Sequence, residues 1–94
     1  MQEYLWETPT EINQALAKRL QKIRKRRKIT QKELALRSNV SYGTLKKFEQ
    51  TGEVSLLALT KIALELGVVG EIKALFAEVP YLSVEEVLNE RKNT

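Results

Sequence analysis

The chain contains no cysteine, no histidine and no aspartate, and all twelve of its acidic residues are glutamates. Without cysteine there is no disulfide framework. Without cysteine and histidine the usual ligands of zinc are missing, as are the Cys-His and Ser-His-Asp arrangements of nucleophilic catalysis. An enzyme is therefore not expected, and neither is a metal or another cofactor. No apolar run approaches the ~20 residues of a membrane span. The N-terminal MQEYLWETPTEI lacks the basic-then-apolar order of a secretion signal. The expectation is a soluble cytoplasmic protein without membrane contact. At 94 residues the chain is long enough for one small core and too short for two.

What the chain does have is positive charge, unevenly placed. Residues 18–47 hold twelve Lys or Arg against the single Glu33, whereas residues 1–17 and 48–94 carry net charges of −3 and −4. A charge run is commonly a solvated helix face. This one is not laced with acids, and a polyanion is the usual means of relieving such self-repulsion.

Helical punctuation recurs along the chain. Thr8, Pro9 and Glu11 form a capping box with proline at the first helical position. Ile12, Leu16, Leu20 and Ile23 then define one apolar face of a helix running to about Arg27. Thr30 caps a second, short helix with Leu34 and Ala35 inward. Asn39 stops it, Val40 is expected buried in the corner, and Ser41 caps a third helix that turns Leu45 and Phe48 inward. Gly52 and Glu53 mark a loop. Ser55 caps a fourth helix with Leu56, Leu59, Ile62, Ala63 and Leu66 inward, and Gly67 ends it. Gly70 begins a fifth, with Ile72, Leu75 and Phe76 apolar. After Pro80 a box at Ser83–Glu86 opens a last short helix bearing Val84, Val87 and Leu88, and residues 91–94 are expected loose. With no strand-like alternation and no repeat, the fold class is all-α, five helices and a short sixth.

Within residues 31–50, apolar groups stand at 34, 40, 45 and 48, a small one at 35 and a turn-tolerant one at 39. Two helices crossing closely at a tight corner need this pattern. It resembles the helix-turn-helix of the Cro and phage-repressor superfamily, often called the Xre family. The TQ-x-E-L-A opening, the corner spacing and the later S-L-x-x-L-x-K-I-A-x-x-L-G carry the resemblance over about residues 16–77. It implies a lambda-repressor-like DNA-binding domain spanning residues 1–94, with a core at 10–77, the motif at 31–50 and an extension at 78–94. Asn39 replaces the glycine usual in the turn, and Ser38 stands where an apolar residue is common, so the corner is expected to be slightly less well packed.

In such a fold the tip of the third helix enters the major groove. By position, Ser41, Tyr42, Gly43, Thr44 and Lys47 are then the base-reading residues. Gly43 costs about 1 kcal/mol relative to alanine in a helix, and close approach of backbone to DNA accounts for it. Lys47 has the chemistry to donate to guanine N7 and O6, and Tyr42 and Thr44 to meet a thymine methyl or a phosphate. Phosphate contacts are expected from Thr30, Gln31, Arg24, Lys46, Gln50 and Thr51. The resemblance also pairs Arg24 with Glu49, and has Gln31 clamp the backbone. Lys22, Lys25, Arg26, Arg27 and Lys28 supply longer-range attraction.

The expected partner is double-stranded DNA with a palindromic operator, bound by a homodimer across half-sites about 34–36 Å apart. Ile72, Phe76, Tyr81, Leu82, Val84, Val87 and Leu88 are the candidate dimer or partner surface, with Tyr4, Leu5 and Trp6 a second candidate. The run from Ser41 to Leu59, followed by the Pro-Tyr step and S-V-E-E-V-L, looks like small Xre-type antitoxins encoded beside HipA-like kinase toxins. That implies an autoregulating repressor with a HipA-like toxin partner. The alternatives are a stand-alone repressor and an interaction module that mainly sequesters a toxin. Single-stranded RNA ranks below these, since Tyr42 is the one aromatic within the basic segment.

Overall fold

The computed structural model describes residues 7–80 and 82–93. Its elements are α1 (Pro9–Arg26), α2 (Gln31–Ser38), α3 (Tyr42–Thr51), α4 (Leu56–Leu66), α5 (Val69–Lys73) and α6 (Val84–Asn93), with no strand among the described residues. The fold is all-α. Hydroxyl caps start five of the helices: Thr8, Thr30, Ser41, Ser55 and Ser83 each accept a hydrogen bond from the N–H three residues on. In α1 the box closes, with Glu11 Oε1 accepting from the Thr8 N–H at 2.9 Å. Left-handed residues end α2, α3 and α4, namely Asn39 (φ 59°), Gly52 (φ 83°) and Gly67 (φ 77°).

Gly52 has a second reason to be glycine. A Cβ there would lie 2.7 Å from the Asn13 carbonyl carbon and 2.8 Å from the Gln14 nitrogen. The end of α3 thus rests directly on the backbone of α1, and this contact fixes how the two helices cross.

α1 packs on α3, α2 on α3 and α4, and α4 on α5; α6 belongs to none of these pairings. The core is built from Ala17, Ile29, Leu34, Ala35, Leu45, Phe48, Ile62 and Leu66, with Leu20, Ile23, Val40, Val54, Leu59 and Val68 packed against it. Ser38 fits this core without loss, because its Oγ donates to the Leu34 carbonyl at 2.7 Å. The corner is therefore closed by a satisfied polar group.

Several expectations are corrected. α1 buries only the later part of its apolar stripe: Leu20 and Ile23 pack against the core beside the buried Ala17 and Arg24, while Ile12 and Leu16 are exposed. The close crossing with α3 admits a small residue and an ion pair at its centre, which leaves the larger side chains at the rim. Leu56, 67 % exposed, lies outside the core. Val40 is half-buried rather than buried. α5 closes at Lys73, and Phe76 turns outward with φ 55° and 88 % exposure. α6 continues to Asn93, so residues 91–93 are helical. Its opening is half a box: Ser83 Oγ accepts from the Glu86 N–H, while Glu86 Oε1 accepts from the Leu82 N–H. Tyr4, Leu5, Trp6 and Tyr81 lie outside the described residues.

Candidate nucleic-acid interface

The corner formed by α2 and α3 is held by one carboxylate. Glu49, on the inward side of α3, accepts from Arg24 Nε at 2.7 Å and Arg24 NH2 at 3.0 Å. It also accepts from Gln31 Nε2 at 2.7 Å and Gln21 Nε2 at 3.1 Å. Arg24 NH1 donates to the Ile29 carbonyl at 2.8 Å, which adds the α1–α2 connection. Three helices therefore meet at a buried ion pair whose partners are all supplied, the condition under which such a pair is tolerable. Burial alone would raise the Glu49 pKa. The Arg24 and Gln31 hydrogen bonds, the Arg24 charge and the Gln21 bond outweigh it and hold the carboxyl below its ordinary value. Gln21 carries no sequence signal for this role, since a glutamine on a helix surface is unremarkable until its neighbour is known.

With α3 so fixed, its N-terminal end projects. Ser41, Tyr42 and Gly43 are exposed and Thr44 is half-buried. Nothing lies within 4 Å of where a Gly43 Cβ would stand, so the glycine serves no packing need inside the chain. Ser41 Oγ accepts from the Thr44 N–H and donates to Thr44 Oγ1 at 2.7 Å, leaving the Thr44 hydroxyl proton free to point outward. The Tyr42 ring has Lys32 Nζ 5.6 Å and Lys46 Nζ 5.7 Å from its centroid.

A helix-turn-helix family model matches residues 20–70, more than half of the chain. The chain belongs to the Xre/Cro-type helix-turn-helix family. Comparison with curated proteins and with solved structures gives no match. Members of this family are DNA-binding transcription regulators that engage double-stranded DNA, and the chain is a regulator of this class.

On this Xre-type module the candidate contacts divide. Tyr42, Gly43, Lys46, Lys47 and Gln50 stand exposed on α3, with Ser41 at its cap. Lys47 Nζ meets Glu53 at 3.1 Å, but both side chains are about two-thirds exposed, so water competes strongly and the pair opens at little cost. Thr30 Oγ1 accepts from the Glu33 N–H and keeps its proton for an acceptor outside. Gln31 turns its side-chain amide inward to Glu49, so its contribution outward comes from the N-terminal backbone of α2, where N–H groups lack helical partners.

Two phosphate candidates are withdrawn. Arg24 is 7 % exposed and all three of its nitrogens donate within the chain. Thr51 Oγ1 donates its proton to the Lys47 carbonyl and accepts from the Glu53 N–H, which makes it a cap for the end of α3. In the basic cluster, Arg27 NH1 donates to the Glu65 carbonyl at 3.3 Å, near the negative end of α4. Lys28 holds a left-handed turn at φ 57°. Among the described residues no helix is long and apolar enough to cross a membrane.

Proposed function

We propose that the chain is a sequence-specific repressor that binds a palindromic operator as a homodimer, reading each half-site with the tip of α3. The carrying observation is that tip: a helix N-terminus held proud of a rigid three-helix corner, with no side chain at Gly43 and open space around it. Ser41, Tyr42, Thr44 and Lys47 face base edges, while Thr30, Lys46, Gln50 and the backbone at Gln31 hold phosphates. Selection of bound sites from random duplexes tests this reading. It expects a palindrome with half-sites about one helical turn apart, and an affinity that falls steeply with salt. Recovery of no preferred duplex, or equal binding to single strands, would refute it.

Dimerisation is assigned to the segment of chain that runs from α5 through α6. Phe76, Leu82, Val84 and Leu88 are more than half exposed there, and Ile72 and Val87 are half-buried. Exposed apolar groups gathered on one segment are the usual mark of a protein contact. An antitoxin role is a second reading of the same segment. The net charge of −4 over residues 48–94 suits a basic partner such as a HipA-like toxin. Co-purification from the native host separates the two, because a stoichiometric kinase-like protein supports the antitoxin and a clean homodimer supports the stand-alone repressor.

A further inference from the structure

The motif helices α2 and α3 carry four basic side chains, and they fall into two kinds. Arg37 pairs with Glu33 at 2.7 Å and Lys47 with Glu53 at 3.1 Å. Lys32 and Lys46 have no carboxylate partner among the described residues. These two unneutralised ammonium groups, one from the first turn of α2 and one from α3, converge on a single ring, that of Tyr42. Like charges brought to one place raise each other's energy. The face of an aromatic ring offsets part of this, and an anion offsets the rest.

We propose that Lys32 is a positioning residue for DNA reading: with Lys46 it holds the Tyr42 ring in a set pose at the tip of α3, while its ammonium binds the phosphate flanking the base pair that Tyr42 meets. Three features converge on this. Gln31, the neighbour of Lys32, is turned inward to Glu49 and cannot brace the tip with its side chain. Tyr42 is 39 % exposed, so its side chain is partly covered without being buried. Lys46 lies one helical turn beyond Tyr42 on the same face, so the ring is flanked from its own helix as well as from α2. A tyrosine at the first position of an exposed helix otherwise samples several rotamers, and freezing them on binding lowers affinity. Two cations already seated on the ring in the free protein lessen that cost, and the same cations then take phosphates. Lys32 thereby couples a non-specific contact to a specific one.

This role presupposes the groove-facing pose of α3 proposed above. The test is a double-mutant cycle on the whole chain, using the tightest duplex recovered from a randomised pool and a scrambled duplex of the same composition. Lys32→Gln is expected to weaken both duplexes, and also to lower the selected-to-scrambled affinity ratio by about two- to fivefold, the size of one exposed cation–ring contact. In a Tyr42→Leu background the same substitution is expected to weaken both duplexes equally, with no further change in the ratio. Lys32→Arg should retain the wild-type ratio. In the free protein the Lys32 ε-methylene protons should show an upfield ring-current shift that Tyr42→Leu abolishes. An unchanged ratio for Lys32→Gln, or the same fall in both backgrounds, overturns the inference while leaving DNA binding intact. Wild-type protein that prefers no duplex overturns the proposed function itself.

Discussion

Substituting Glu49→Gln keeps the shape of the buried hub and removes its charge. In the native chain four hydrogen bonds end on that carboxylate, two of them from Arg24. A glutamine presents one accepting oxygen and turns an NH2 group toward donors, so at least one donor loses its partner. The Arg24 guanidinium is left as a buried cation without its counter-charge, with the Ile29 carbonyl and at most one glutamine oxygen as acceptors. Removing one partner of a buried pair costs about 3–5 kcal/mol. Because some acceptors remain, the lower end applies, about 3 kcal/mol, against a total of roughly 5–14 kcal/mol for a domain of this size. At 4–8 °C per kcal/mol the melting temperature should fall by roughly 12–24 °C.

The pH dependence adds a second signature. The folded Glu49 pKa lies below its ordinary value. Its contribution is therefore fully present above the unfolded glutamate value of about 4.3 and is lost as pH falls through the folded value. Urea unfolding from pH 7 downward should show a wild-type decline on the acid side that is shallower in Glu49→Gln. A loss below about 1 kcal/mol at pH 7, together with an unchanged acid limb, would refute the hub as the fastening of the corner.

Leu45→Ala should cost about 2–5 kcal/mol, since that side chain is fully buried, whereas Leu56→Ala should cost under about 0.5 kcal/mol in the monomer; thermal melts of both compare a core leucine with a solvent-facing one. Gly52→Ala combines a left-handed backbone with a 2.7 Å approach to the main chain of α1, so it should cost about 2–3 kcal/mol and re-angle α3, read as a joint loss of stability and DNA affinity.

The boundaries of α1 to α4 were legible because each rests on local chemistry. A hydroxyl at Thr8, Thr30, Ser41 or Ser55 satisfies an N–H three residues away, and Asn39, Gly52 or Gly67 accepts a left-handed turn, whatever the rest of the chain does. The burial of α1 was not legible from its pattern. Ile12, Leu16, Leu20 and Ile23 form a correct apolar stripe, but the surface α1 packs on is set by α3. The Gly52 contact and the Glu49 pair centre that surface on Ala17 and Arg24. The Arg24–Glu49 pairing came from family resemblance, and it displaced the phosphate role also given to Arg24. Gln21 and Lys32 escaped notice for one reason: a polar residue on a helix acquires meaning only from what stands opposite. Thr51 looked like an exposed hydroxyl and proved to be a cap.

The central claim is that bare backbone at Gly43 meets DNA. Gly43→Ala places its methyl in open space in the free protein and restores helix propensity, so stability should rise by about 0.5 kcal/mol. The decisive measurement is the affinity of this variant for the tightest duplex selected by wild type. A fall of tenfold or more, in a protein that melts no lower than wild type, is the predicted result. Undiminished affinity would contradict the account.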